Sequence, residues 1–210
     1  MYALSHALRE RITTRLHAFD RRAIECGGGV RAAAVAIAVT RTEDDVDDGA
    51  AFVLTARAAG LRAHARQYAL PGGRIDDGED VIDAALRELH EEVGLHVARD
   101  DVLGLLDDYE TRSGFVMTPV VVWAADAPPP VANPDEVAAL YTIPFDDLDH
   151  PESPRFLTIP ESDAPVVQLW MRGEWLHAPT AAILYQFREV ALHARDTRVA
   201  HLEQPVWAWR

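Results

Sequence analysis

Three glutamates, Glu88, Glu91 and Glu92, crowd the end of a helical stretch in "LPGGRIDDGEDVIDAALRELHEEVGL" (Leu70–Leu95). Like charges three and four residues apart on a helix repel by about 0.2–0.5 kcal/mol per pair. The C-terminal end of a helix already carries partial negative charge, which makes acids there worse still. Local stability gives no reason for the arrangement, so it calls for a positive partner. The spacing places the three carboxylates on one side, opposite Leu86, Leu89 and Val93. Hard divalent cations such as magnesium and manganese prefer oxygen donors of this kind. Gly72 and Gly73 lie upstream in a turn where a backbone carbonyl can approach such an ion without side-chain obstruction. Arg87 can pair with Glu79 and fasten the preceding loop to the helix. Taken alone, three glutamates would equally describe an acidic solvent face.

The elements that must position these groups are legible around them. The helix should begin near Asp80, with Asp77 as its N-cap. Val81, Ile82, Ala85, Leu86, Leu89 and Val93 form its core face, and Gly94 ends it. Upstream, Leu4, Leu8, Ile12, Leu16 and Phe19 recur at helical spacing and predict an amphipathic helix over Ser5–Arg22, ended by Gly27–Gly29. Strands are expected at Val30–Thr40, Phe52–Ala56, Val102–Tyr109, Met117–Ala124 and Leu140–Ile143. The acidic "TEDDVDDG" (Thr42–Gly49) lacks the spacing of a calcium loop and reads as a solvated hairpin tip. "DAPPPVANPDE" (Asp126–Glu136) has four prolines and must be a loop. A hairpin follows around Arg172–Gly173, then a long helix over Thr180–Ala194. The tail carries Pro205, Trp207 and Trp209, whose rings should fold back on the body or face a second subunit in a homodimer. Strands alternating with a few helices, without repeats, indicate one α/β or α+β unit.

The 210 residues carry a net charge of −14, and all twenty basic residues are arginine. That acidity argues against coating nucleic acid, although local arginines and a cation can still favour a small anionic substrate. The lone cysteine, Cys26, allows no intrachain disulfide and suits a reducing compartment; it reads as a buried small apolar residue. Arg9, Glu10 and Arg11 interrupt any signal-like run, and no segment has the length of a membrane span. A cytoplasmic protein acting away from membranes is the expectation.

The frame around the glutamates is specific. Gly73 is followed after five residues by Glu79, then after seven by Arg87-Glu88, then Leu89, Glu91-Glu92, Gly94 and Leu95. This pattern resembles the Nudix box, with every fixed position filled. The resemblance implies an α/β/α sandwich around a mixed β-sheet, preceded by the N-terminal helix. It divides the chain into a helix and linker at 1–29, a Nudix domain at 30–195 and a tail at 196–210. It also implies metal-dependent hydrolysis of a diphosphate joined to another moiety, usually a nucleoside. Glu88 and Glu92 would then be the main ligands of magnesium or manganese, aided by Glu91 and the Gly73 carbonyl. Arg87 and Glu79 would be structural members of the site. The general base varies within the family; Glu91, Glu92 and the downstream Glu136 are the candidates.

"VLTARAAGLRAHARQYALPGG" (Val53–Gly73) is similar to the motif preceding the box in coenzyme A diphosphatases of that family. Leu54, Thr55, Arg57, Ala58, Arg62, Pro71, Gly72 and Gly73 match in register, and Leu61 and His64 fit residues common in that group. Val53, Arg66 and Leu70 depart from it, Arg66 most sharply, since glycine stands there in the pattern. "SGFVMTPVVV" (Ser113–Val122) and "PTAAIL" (Pro179–Leu184) also resemble that group, although core packing explains them equally well. Arg57, Arg62, Arg66 and Arg74 are thus candidates for gripping the phosphates of coenzyme A, while His64 reads as structural. The alternatives are another nucleoside diphosphate derivative as substrate, or a non-hydrolytic ligand sensor; the intact glutamates speak against the sensor.

Overall fold

The computed structural model describes residues 1–27, 29–42, 48–57 and 68–209. Its centre is an eight-stranded mixed sheet: β1 (Arg31–Arg41), β2 (Ala50–Arg57), β3 (Tyr68–Ala69), β4 (Gly72–Arg74), β5 (Val102–Leu105), β6 (Tyr109–Glu110), β7 (Phe115–Trp123) and β8 (Val137–Pro144). β1 runs parallel to β7 from Arg31↔Phe115 to Val39↔Trp123. Its other partners, β2 and β4, are antiparallel. The short β4 places Gly72 and Gly73 opposite Val35 and Ala34.

Alternation along β1 divides the core between the two faces of the sheet. Ala34, Ala36 and Ala38 pack under α2 (Val81–Val93) with Ala84, Ala85, Leu89 and Val93. The three alanines let this helix lie close to the sheet. Val35, Ile37 and Val39 point the other way, against α1 (His6–Ala18) and α3 (Thr180–Phe187). A mixed β-sheet thus lies between helices on its two faces, with the N-terminal helix present. A separate antiparallel sheet of β9 (Arg155–Ile159), β10 (Ser162–Met171) and β11 (Glu174–His177) joins the second core through Val167, Leu169 and Leu176.

Several elements differ from expectation for identifiable reasons. Asp80, not Asp77, caps α2; its Oδ1 accepts from the backbone N–H of Ile82 (2.9 Å) and Asp83 (3.0 Å). α1 ends at Ala18 rather than Arg22, well before the glycines. Beyond it, Arg22 N–H and Ile24 N–H donate to Asp107 and Asp108, so the chain leaves as an extended strap. Those two buried acids also interrupt the single strand expected over Val102–Tyr109, which appears as β5 and β6. Cys26, on the strap, is exposed rather than buried.

The final helix widens into a π-turn at Arg188–Leu192 instead of continuing regularly to Ala194. The Arg15 guanidinium donates to the carbonyls of Ala191 and Leu192 at its end (3.0 and 2.6 Å). No described helix is long and apolar enough to cross a membrane. Most of the acidic hairpin tip, residues 43–47, lies outside the described residues.

Candidate active site

Arg87 is the hub of the site. Its Nε and Nη2 donate to the two oxygens of Glu79 at 3.0 and 3.1 Å, a fork-to-fork pair. Nη2 also donates to the Arg74 carbonyl at 3.0 Å, and Nη1 donates to both Glu88 Oε1 and Glu91 Oε2 at 2.9 Å. One guanidinium therefore joins the glycine turn, the loop acid and two of the helix acids. The hydrogen bonds from Arg87 hold Glu79 below the usual carboxylate range. Burial pushes Glu88 upward; Arg87 opposes that shift, and the nearby charges of Glu91 and Glu136 reinforce it.

The glycines are required by space. A Cβ on Gly73 would lie 2.2 Å from Glu88 Oε1, and one on Gly72 would lie 2.3 Å from the Ala34 carbonyl. The missing side chain of Gly73 is the cradle that receives the Glu88 carboxylate. Glu92 is buried rather than projecting opposite the core face, and its Oε2 accepts from Gly72 N–H at 3.3 Å. Glu88 is mostly covered and Glu91 half exposed. The helix thus turns its acids toward the β4 turn at three depths.

The proline-rich loop is stitched to the end of the same helix. Val131 N–H donates to the Val93 carbonyl and Asn133 N–H to the Glu92 carbonyl, both at 2.9 Å. The Asn133 Nδ2 donates to the Glu91 carbonyl at 3.1 Å and reaches Glu136 Oε1 at 3.4 Å. These donors satisfy carbonyls that a helix end otherwise leaves open. The same contacts bring Glu136, exposed at the start of β8, close enough for its charge to act on Glu88. Asn133 is not among the sequence candidates; its position in "NPD", three residues past a proline run, is the available signal.

The arginine group is only partly in view. Arg62 and Arg66 lie outside the described residues, as does the side chain of Arg57. Arg74 is exposed beside the turn, its guanidinium 5.6 Å from the Phe115 ring centre. Arg31, also missed from sequence, lies closer over that ring, at 3.9 Å.

Whether these residues suit a divalent cation can be judged from their donors. Carboxylates from Glu88, Glu91 and Glu92, with the Gly73 carbonyl, form the all-oxygen set that magnesium and manganese prefer. Among the described residues, no three acidic, histidine or cysteine groups already converge on one point. Arg87 Nη1 bonds both Glu88 and Glu91, while Gly72 N–H donates to Glu92. The donor chemistry and the Gly73 cradle fit a cation.

A family model described as NUDIX domain matches residues 30–182. The "Uncharacterized Nudix hydrolase NudL" of Cronobacter sakazakii is 43% identical over 116 residues, 55% of this chain and 58% of that protein. The "Nudix hydrolase 3" of Caenorhabditis elegans is 38% identical over 107 residues, covering 49% of this chain and 45% of that protein. The chain thus spans about half the length of these two relatives. Among solved structures, a MutT/nudix family protein from Enterococcus faecalis superposes with a TM-score of 0.59 at 14% identity, over 92% of this chain and 76% of that one. That likeness concerns the fold.

Proposed function

The chain belongs to the Nudix family, and from that premise we propose that it hydrolyses the diphosphate linkage of coenzyme A or an acyl derivative in a divalent-metal-dependent reaction. The observation that carries the hydrolytic reading is the Arg87 hub, which ties Glu79, Glu88, Glu91 and the glycine turn together. In this reading Glu88, Glu91 and Glu92 hold magnesium or manganese with the help of the Gly73 carbonyl. When bound, such a cation supplies positive charge to the bridging and leaving oxygens and makes water a better nucleophile. Arg87 keeps the carboxylates in place between turnovers. Glu136, held near Glu88 by the stitched loop, takes the proton of the attacking water.

Coenzyme A as the substrate rests on the arginine-rich segment before the box. Arg57, Arg62, Arg66 and Arg74 stand in an otherwise acidic chain, and guanidinium groups bind phosphates bidentately. Coenzyme A offers a diphosphate and a further ribose phosphate to such groups. Arg66, where the similar pattern has glycine, favours a second reading in which another nucleoside diphosphate derivative is cleaved. A hydrolysis screen of coenzyme A beside a nucleotide panel, with magnesium and then manganese, tests both. Coenzyme A turnover supports the first reading. Turnover of another nucleotide alone, damaged by Arg66→Gly, supports the second.

A further inference from the structure

A cavity of about 220 Å³ lies between β3, β11, the start of α3 and the C-terminal tail. Its walls are mostly rings: Tyr68, Trp175, His177 and Trp207, with Thr180 and Glu174 as the other polar groups. None of the site residues discussed above lines it. Tyr68 stands four residues before Gly72, so the cavity wall lies within about 13–14 Å of the glycine turn along the chain.

The walls are fixed from behind. Trp175 carries Arg155 at 3.6 Å and packs edge-on against Trp170 at 5.0 Å. His177 meets the Gln168 amide at 2.6 Å, and burial, with the charge of Arg155, lowers its pKa. The tail is anchored on both sides of Trp207. Glu203 N–H donates to the Pro165 carbonyl at 2.8 Å, and the Arg112 guanidinium lies over the Trp209 ring, 5.0 Å from its centre. Between these anchors Trp207 stands edge-to-face with His177 at 5.3 Å, and 44% of the residue is exposed. A large aromatic side chain presented in this way offers a stacking face.

The polar groups narrow the occupant. No lysine or arginine is among the described lining residues, and Arg172 reaches the cavity only through its hydrogen bond with the Tyr68 hydroxyl; the Glu174 carboxylate, which is hydrogen-bonded to the same hydroxyl, repels phosphate. A carboxylate and a threonine hydroxyl accept hydrogen bonds from ring N–H or amino groups. Aromatic walls favour a flat partner over an aliphatic chain. We propose that this cavity is a binding site for an uncharged, amino-bearing heterocycle of the nucleobase class, stacked on Trp207 with its N–H edge toward Glu174 and Thr180. Its identification as the base of the substrate rests on the proposed hydrolysis of a nucleotide diphosphate; the binding itself does not.

The test is a calorimetric titration of the full chain with adenosine, which has neither phosphate nor need of a cation. Saturable binding is expected. Trp207→Ala should weaken it by roughly five- to hundredfold, while Trp207→Phe, which keeps a ring, should retain most of it. Glu174→Gln should weaken binding without abolishing it. Glu92→Gln should bind adenosine as the wild type does, which separates this proposal from the hydrolytic one. No saturable adenosine binding, equal binding by Trp207→Ala, or a preference for pantetheine over adenosine would overturn the proposal.

Discussion

Glu88 occupies the space that a side chain on Gly73 would need: a Cβ there would stand 2.2 Å from its Oε1. The glycine and the glutamate are therefore one unit. Gly73→Ala should displace the carboxylate and cost about 1–3 kcal/mol of stability through overpacking. Turnover should fall by roughly a hundredfold, since small displacements at a reacting centre are that costly. Thermal melts and steady-state kinetics on the one variant check both. An active Gly73→Ala enzyme would separate Glu88 from the reaction.

Arg87 serves four oxygen partners besides the Arg74 carbonyl, two of them on Glu79. Arg87→Ala leaves partly covered carboxylates without their cation and should cost about 2 kcal/mol or more. Its turnover should stay low at saturating magnesium, because the acids are misplaced rather than missing. Full recovery by added metal would reduce Arg87 to an indirect effect on metal affinity. Arg87→Lys should not rescue, since a single ammonium cannot make the fork to Glu79.

Asn133 joins the proline-rich loop to the helix end through the Glu91 and Glu92 carbonyls. Asn133→Ala should destabilise the protein by about 1 kcal/mol. If the loop positions Glu136 as the base, kcat should fall more than KM rises, and the acid limb of the pH profile should change. Glu136→Gln should lower kcat with little loss of stability. Unchanged kinetics in both variants would move the base to Glu91 or Glu92.

The tail gives a prediction in pH. Glu203 is buried, and its pair with Arg112 holds its carboxyl below the ordinary value of 4.5. A depressed carboxylate contributes stability above its unfolded value and loses it as pH falls through the folded one. The stability gap between wild type and Glu203→Gln should therefore be full near neutrality and shrink below about pH 4.5. Denaturant melts across that range measure it. A gap independent of pH would mean that the contribution is packing rather than charge.

The residues themselves explain which features could be read in advance. The α2 periodicity, Gly94 at its end with φ 67° and the Arg87–Glu79 pair follow from spacings within about a dozen residues, and all are present. The β-branched run of β7 and the Arg172–Gly173 hairpin were equally local. What escaped depends on partners far along the chain. Asp107 and Asp108 break a strand because Arg21, Arg22, Ile24, Gln186 and Arg198 come to them from both ends of the molecule. Glu92 is buried because Gly72, twenty residues earlier, presents an N–H to it. Asn133 gains its role only once the loop meets α2. No local pattern encodes those meetings.

The central claim is that the α2 acids serve a cation-dependent cleavage of a diphosphate. The most direct measurement follows coenzyme A by chromatography, with magnesium or manganese, for wild type and Glu92→Gln side by side. Wild type should release phosphopantetheine and adenosine bisphosphate only with the cation, and Glu92→Gln should lose nearly all turnover while remaining folded. Metal-independent cleavage, or full activity in Glu92→Gln, would contradict the account.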